Sequence, residues 1–184
     1  WQLYLFYVSY VGFLHFGWND GIYLRYGGER YESLDKKLFF SQYNMLATFQ
    51  LFLSMLVISL TTIFEGNPDR RFIYQMIGIN IFLMNIKNLF LYILQSTNRI
   101  KEYSFVTILD RLLYAFLILL FLFAGVNNYQ FMIWADVIGK LIAMLISMYY
   151  CKEIVRQKWS SFSLNMTETR GNIPTGIKLM FANI

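Results

Sequence analysis

Apolar positions along the chain fall into long blocks rather than short alternating runs, and the blocks are separated by short polar segments. Five such blocks occupy positions 3–22, 43–64, 72–95, 105–126 and 131–151, and a further apolar run opens at 176–184. A hydrocarbon core about 30 Å thick is crossed by roughly 20 residues rising about 1.5 Å each. The block length therefore predicts spans of a bilayer, which a water-soluble core does not require. Backbone groups in lipid must be satisfied within the segment, and the two-residue alternation of barrel strands is absent, so all five are predicted to be helices. The expected fold class is an all-α polytopic membrane bundle of five full transmembrane helices plus the start of another.

Lysine and arginine are distributed unevenly over the connections. One set of alternate connections carries Arg25, Arg30, Lys36, Lys37, Arg99, Lys101, Lys152, Arg156, Lys158 and Arg170; the other carries only Arg70 and Arg71. The positive-inside rule makes the first set cytoplasmic, with loops 25–37, 99–104 and 152–175 inside and Trp1 outside. Short connections at 65–71 and 126–130 predict antiparallel neighbours. The segment 152–175 is longer and polar, with breaks expected at Gly171 and Pro174, and reads as a cytoplasmic linker. The expected organisation is thus a bundle over 1–151, the linker, and at 176–184 the truncated start of a second lobe. Trp1 in place of Met and the apolar run at the other end make both termini look cut, and no signal peptide precedes the first block.

Composition agrees with lipid: 57% of residues are hydrophobic, 20% aromatic and only 15% charged, with a mean hydropathy of +0.43, where a soluble domain carries about 25% charged residues. A net charge of +5 raises the possibility of nucleic acid, but its sources sit in the connections between spans, so topology accounts for it and no nucleic-acid partner is expected. The single cysteine, Cys151, allows neither an internal disulfide nor a cysteine metal site, and the single histidine, His15, cannot make a zinc site and is expected to be packed or hydrogen-bonded.

Polar residues inside the spans carry the functional reading. In the fifth span Asp136, Gly139, Lys140, Ala143 and Ser147 share one narrow helical face. Lys140 lies near the bilayer midplane, where insertion costs roughly 2.5 to 3.5 kcal/mol, and Asp136 one turn away can offset part of that. In the third span Asn80, Lys87, Asn88 and Gln95 fall within an arc of about 100°. The fourth begins with Asp110 and Arg111, and Gln50, Ser54 and Thr61 form a milder stripe on the second. Such faces are expected to turn toward protein or a hydrated cavity. The competing reading is that Lys87 and Arg111 snorkel to the interface, that Asp136 and Lys140 form an intrahelical pair, and that the amides and hydroxyls join helices. At the end of the first span Gly17 and Gly21 have the small-xxx-small spacing that admits another backbone closely, with Asp20 and Arg25 on the adjoining rim. Asn165-Met166-Thr167 matches a glycosylation sequon by chance on a cytoplasmic segment.

Two stretches carry a family resemblance: Gly17-Trp18-Asn19-Asp20-Gly21-Ile22-Tyr23-Leu24-Arg25-Tyr26-Gly27-Gly28 and Leu94-Gln95-Ser96-Thr97-Asn98-Arg99-Ile100-Lys101-Glu102-Tyr103. They resemble the Wzx-type O-antigen and polysaccharide flippases of the MATE-like MOP superfamily, and Gly176-Ile177-Lys178-Leu179-Met180-Phe181-Ala182-Asn183-Ile184 is similar to the start of the seventh helix in that family. The resemblance covers nearly the whole chain, as helices two to six of an N-terminal lobe plus the linker, without the first helix and most of the second lobe. It implies a transporter of the bacterial inner membrane, not an enzyme. The implied cargo is an undecaprenyl-pyrophosphate-linked oligosaccharide, flipped between leaflets by two rocking lobes. Membrane lipids and a coupling ion, H+ or Na+, would be its other partners, with no cofactor and no metal.

On the residues themselves, Lys140, Lys87 and Arg111 are expected to form a cationic wall for the pyrophosphate. Asp136 and Asp20 would tune those charges or carry the coupling ion, and Asn80 and Asn88 would line the same cavity. A multidrug exporter of the same superfamily is the nearest alternative, although the excess of bases over carboxylates suits an anion better. A membrane glycosyltransferase or acyltransferase would need a paired-carboxylate loop, a histidine and aspartate pair or a glycine-rich phosphate cradle, and none is found.

Overall fold

The computed structural model describes residues 1–126 and 128–182, and helices are the regular structure among the described residues, without a strand. The elements are α1 (Gln2–Val11), a 3-10 turn (Gly12–His15), α2 (Trp18–Arg25), α3 (Lys36–Phe64), α4 (Pro68–Ser96), α5 (Ile100–Phe123), α6 (Tyr129–Tyr150), the short α7 (Lys152–Val155) and α8 (Met166–Ala182). Residue 127, within the turn expected at 125–130, and residues 183 and 184 of the last apolar run lie outside the described residues.

Four helices, α3 to α6, are long and apolar enough to cross a membrane. They extend beyond the apolar blocks because hydropathy marks depth in lipid, whereas the chain stops a helix where caps allow. Asp35 accepts from the N–H groups of Lys37 and Leu38 (2.9 and 3.1 Å), eight residues before the expected start of the second span. Asn67 accepts from Asp69 and Arg70 (3.0 and 3.2 Å) with Pro68 at the first helical position, and Asn128 accepts from Gln130 (3.0 Å). Each cap answers backbone donors that the first turn leaves unpaired.

The first expected span, at 3–22, is not one helix. Phe16 (φ 51°) and Gly17 (φ 76°) are left-handed and divide it into α1, the 3-10 turn and α2, so the expectation of five full spans is corrected to four continuous ones and one broken segment. A break in an apolar block frees backbone carbonyls, which must find donors. Gln50 Nε2 donates to the carbonyl of Leu14 (3.0 Å) and Asn85 Nδ2 to that of Val11 (3.2 Å), and Asn19 of α2 ties the segment back by donating from Nδ2 to the Asn85 carbonyl of α4 (3.0 Å). His15 Nδ1 accepts from the N–H of Gly17 (3.1 Å). The amides of α3 and α4 thus do for the broken segment what its own next turn would have done.

Helix α4 is the central post: 72% of its most apolar stretch is buried inside the bundle, against 17% for α3 and 11% for α5. It packs on α1, α2, α3, α5 and α6, while α5 lays Ile108, Leu112, Phe116, Leu119 and Phe123 outward. Helix α8 runs unbroken through Gly171, Pro174 and the boundary expected at 175/176, and lies along α2. The close approach explains why it continues: a Cβ on Gly17, Gly21 or Gly176 would overlap backbone atoms of the facing helix. Arg25 clamps one end of this seam, reaching Glu168 (2.7 Å) and Asn172 Oδ1 (2.7 Å). Gly17 and Gly21 carry the spacing read in the sequence, and their partner is α8.

Connections that share the basic residues meet at one end. The Gly28 N–H donates to the Ser96 carbonyl (2.9 Å), Arg99 to the carbonyl of Tyr150 (3.0 Å), and Lys36 lies 3.9 Å from Glu153. At the opposite end the Tyr129 hydroxyl donates to Asp69 (2.7 Å).

Candidate functional site: a polar groove over paired charges

The candidate site is built on α4, whose face toward α5 and α6 carries the polar arc read from the sequence. Lys87 and Lys140 are 8% and 7% exposed, so both turn into the bundle and not toward acyl chains. Neither is unpaired. Lys87 Nζ donates to Asp110 Oδ2 of α5 (2.5 Å). Lys140 Nζ donates to Asp136 Oδ2 one turn back (2.5 Å) and to Asn80 Oδ1 across on α4 (2.9 Å). Tyr4 of α1 closes this second cluster: its hydroxyl donates to Asp136 Oδ2 (2.5 Å) and accepts from Asn80 Nδ2 (2.9 Å). A mid-bilayer ammonium without a partner costs several kcal/mol, and carboxylates and amides at hydrogen-bond distance offset that cost.

Helix α6 presents its stripe as expected. Gly139, Lys140, Ala143 and Ser147 are buried and Asp136 is half-buried. Gly139 has a specific role, since a Cβ there would stand 3.3 Å from the Asp110 carbonyl. Its absence lets α5 approach where Asp110 meets Lys87.

Beside these pairs runs an open groove. A cavity of about 260 Å³ is lined by Lys87, Asn88, Tyr92, Tyr103, Thr107, Asp110 and Arg111, among others. It adjoins a second, of about 210 Å³, which shares Met84, Asn88 and Tyr92 and reaches Ser9, His15 and Asp20 at the broken segment. Asp20 is buried there, 3.5 Å from His15 Nε2, so His15 is a packed, hydrogen-bonded histidine. Arg111 is exposed along the groove and, among the described residues, forms no ion pair.

The seven residues singled out in the sequence therefore separate into two groups. Lys87, Asn88, Arg111 and Asp20 line the two adjoining cavities. Lys140, Asp136 and Asn80 form the network behind it. The cationic wall is correspondingly altered, because Lys140 and Lys87 spend their charge on Asp136 and Asp110, which leaves Arg111 as the groove's unspent cation.

Tyr4, Asn85, Tyr92 and Tyr103 were not singled out in the sequence. Three are phenols hidden among 14 tyrosines in an aromatic-rich chain. Asn85 lies on the face of α4 opposite the Asn80 and Lys87 arc, and only the break it repairs gives it a purpose. At the basic rim, burial and the Glu168 carboxylate raise the Tyr26 phenol above its ordinary pKa, keeping it a donor to Glu168 (2.7 Å).

Compared with protein-family models, with curated proteins and with solved structures, the chain gives no match.

Proposed function

We propose that this chain is part of a membrane transporter that carries an anionic lipid-linked oligosaccharide, of the undecaprenyl-pyrophosphate type, across the bacterial inner membrane. The observation that carries the reading is the groove between α4 and α5, where an exposed arginine has no ion-pair partner among the described residues and stands among hydroxyl and amide groups, while Lys87 and Lys140 are each paired with a carboxylate. A guanidinium matches phosphate oxygens in bidentate geometry. Tyr92, Tyr103, Thr107 and Asn88 offer the neutral donors and acceptors that sugar hydroxyls require.

In this mechanism Arg111 receives the pyrophosphate. Lys87 and Asp110 hold α4 against α5 and keep the groove's inner wall in place, and the Lys140, Asp136, Asn80 and Tyr4 cluster fixes α6 and α1 on the other side. Asp20 beside His15 is the group placed to bind a coupling H+ or Na+. The basic end of the bundle faces the cytoplasm, by the positive-inside rule. A cation-exporting reading would have to rest on Asp20 alone, because Asp110 and Asp136 are both engaged by lysines.

The test is complementation of a strain lacking its own oligosaccharide flippase, at matched membrane expression. Arg111→Gln should abolish surface polysaccharide while Arg111→Lys retains part of it. Full polysaccharide with Arg111→Gln would remove the proposed anion contact.

A further inference from the structure

At the basic end, cations differ in whether their charge is already used. Arg25 is held by Glu168 and Asn172, and Arg99 by Glu102 (2.8 Å) and the Tyr150 carbonyl. Lys152 and Arg156, just past the end of α6, have no carboxylate within 4.0 Å among the described residues. With Lys36, at the start of α3, they line a cleft of about 420 Å³ whose one acidic member is Glu153. Glu153 is 3.9 Å from Lys36, so three cations face one carboxylate.

The depth of this cleft is set by the helices that frame it. Lys36 opens a candidate span and Lys152 lies two residues past the end of another, which places the cleft at the end of the bundle where these helices emerge beyond their apolar stretches. Aromatic residues flank it at that level: Tyr149 lies under the Lys152 ammonium (5.5 Å) and is 61% exposed, and Trp159, edge-on to Phe40, is 70% exposed. Exposed tyrosine and tryptophan at a span's end occupy the headgroup layer, and basic clefts at that level attract anionic headgroups.

We propose that the Lys36, Lys152 and Arg156 cleft binds the phosphodiester headgroup of an anionic phospholipid of the surrounding leaflet. Arg156 offers the fork that pairs two phosphate oxygens, and Lys152 and Lys36 supply point charges on either side. The acyl chains then run down the exposed apolar surface of α3 and α6. This lipid is a resident of the bundle's rim, at a place separate from the α4–α5 groove, so the assignment stands whether or not the groove carries an oligosaccharide.

The test is native mass spectrometry of the full chain released from vesicles of equal phosphatidylglycerol and phosphatidylcholine. The wild type should retain phosphatidylglycerol in preference by at least about tenfold, as expected if two or three bases each contribute roughly fivefold. Lys152→Gln with Arg156→Gln should bring the two lipids to parity, and Glu153→Gln should increase the preference. Lys37→Gln with Lys101→Gln, which removes two exposed charges elsewhere on the same end, should leave it unchanged. Equal retention by the wild type, an unaltered preference in the Lys152 and Arg156 variant, or an equal loss in the Lys37 and Lys101 variant would each overturn the site. Displacement of the lipid by millimolar inorganic phosphate would overturn it in favour of a soluble anion.

Discussion

Lys87 and Lys140, within α4 and α6, each lie 2.5 Å from a carboxylate, whereas Lys152 and Arg156, just beyond the end of α6, have none within 4.0 Å among the described residues. Both pairs of cations belong to the same helical framework, but they meet different solvents. Deep in lipid an ammonium has no water to fall back on, so a partner is a condition of burial. At the headgroup level water and lipid phosphates compete for the same charge, and a basic side chain can stay uncommitted. Arg111 is instructive because it stands between the two: it belongs to a candidate span yet has no ion partner among the described residues, and it lines a groove open enough to admit water or an anion.

The comparison breaks hardest at Asp110. Asp110→Ala leaves Lys87 buried without its counter-ion and should cost about 3 to 5 kcal/mol, read as loss of the folded fraction in detergent unfolding. The double variant Lys87→Met with Asp110→Leu removes both charges and should recover most of that loss; failure to recover would show that the pair does more than neutralise. Asp136→Ala should cost less, about 2 to 3 kcal/mol, because Lys140 retains Asn80.

Gly176→Ala tests the seam between α2 and α8, where the added methyl meets the Gly17 carbonyl. Overpacking of this kind costs about 1 to 3 kcal/mol and should appear as faster proteolysis of α8 with the rest of the bundle intact. Smallest in stability is Arg111→Gln, expected within about 0.5 kcal/mol, although it is the change expected to abolish transport. A large loss of stability at Arg111 would place it with the buried pairs and erase the distinction.

Particular residues show how far the sequence could be read. The α6 stripe and the α4 arc were legible because a period of 3.6 puts their polar members on one face, and those faces are the ones that turn inward. The carboxylate facing Lys87 was not legible, since Asp110 stands next to Arg111 in the chain and 23 positions from Lys87, and only packing brings α5 to α4. The broken first segment was hidden for a similar reason: its apolar run continues through Phe16 with no proline, and the amides that stabilise the break sit on α3 and α4. Gly17 and Gly21 announced a close contact, but nothing local announced that α8 would fill it through a proline-containing stretch. Cap residues Asp35 and Asn67 could have fixed the starts of α3 and α4, had polarity not been read as the edge of a span.

The measurement closest to the central claim, a hydrated polar groove between α4 and α5, is labelling by a membrane-impermeant maleimide in open membranes. The native Cys151 is buried and stays silent. Asn88→Cys and Thr107→Cys should react at a rate near that of an exposed loop position, and Leu112→Cys and Leu119→Cys, on the outward face of α5, should not. Unreactive Asn88→Cys and Thr107→Cys, in a chain that still folds, would contradict the groove and with it the transport reading.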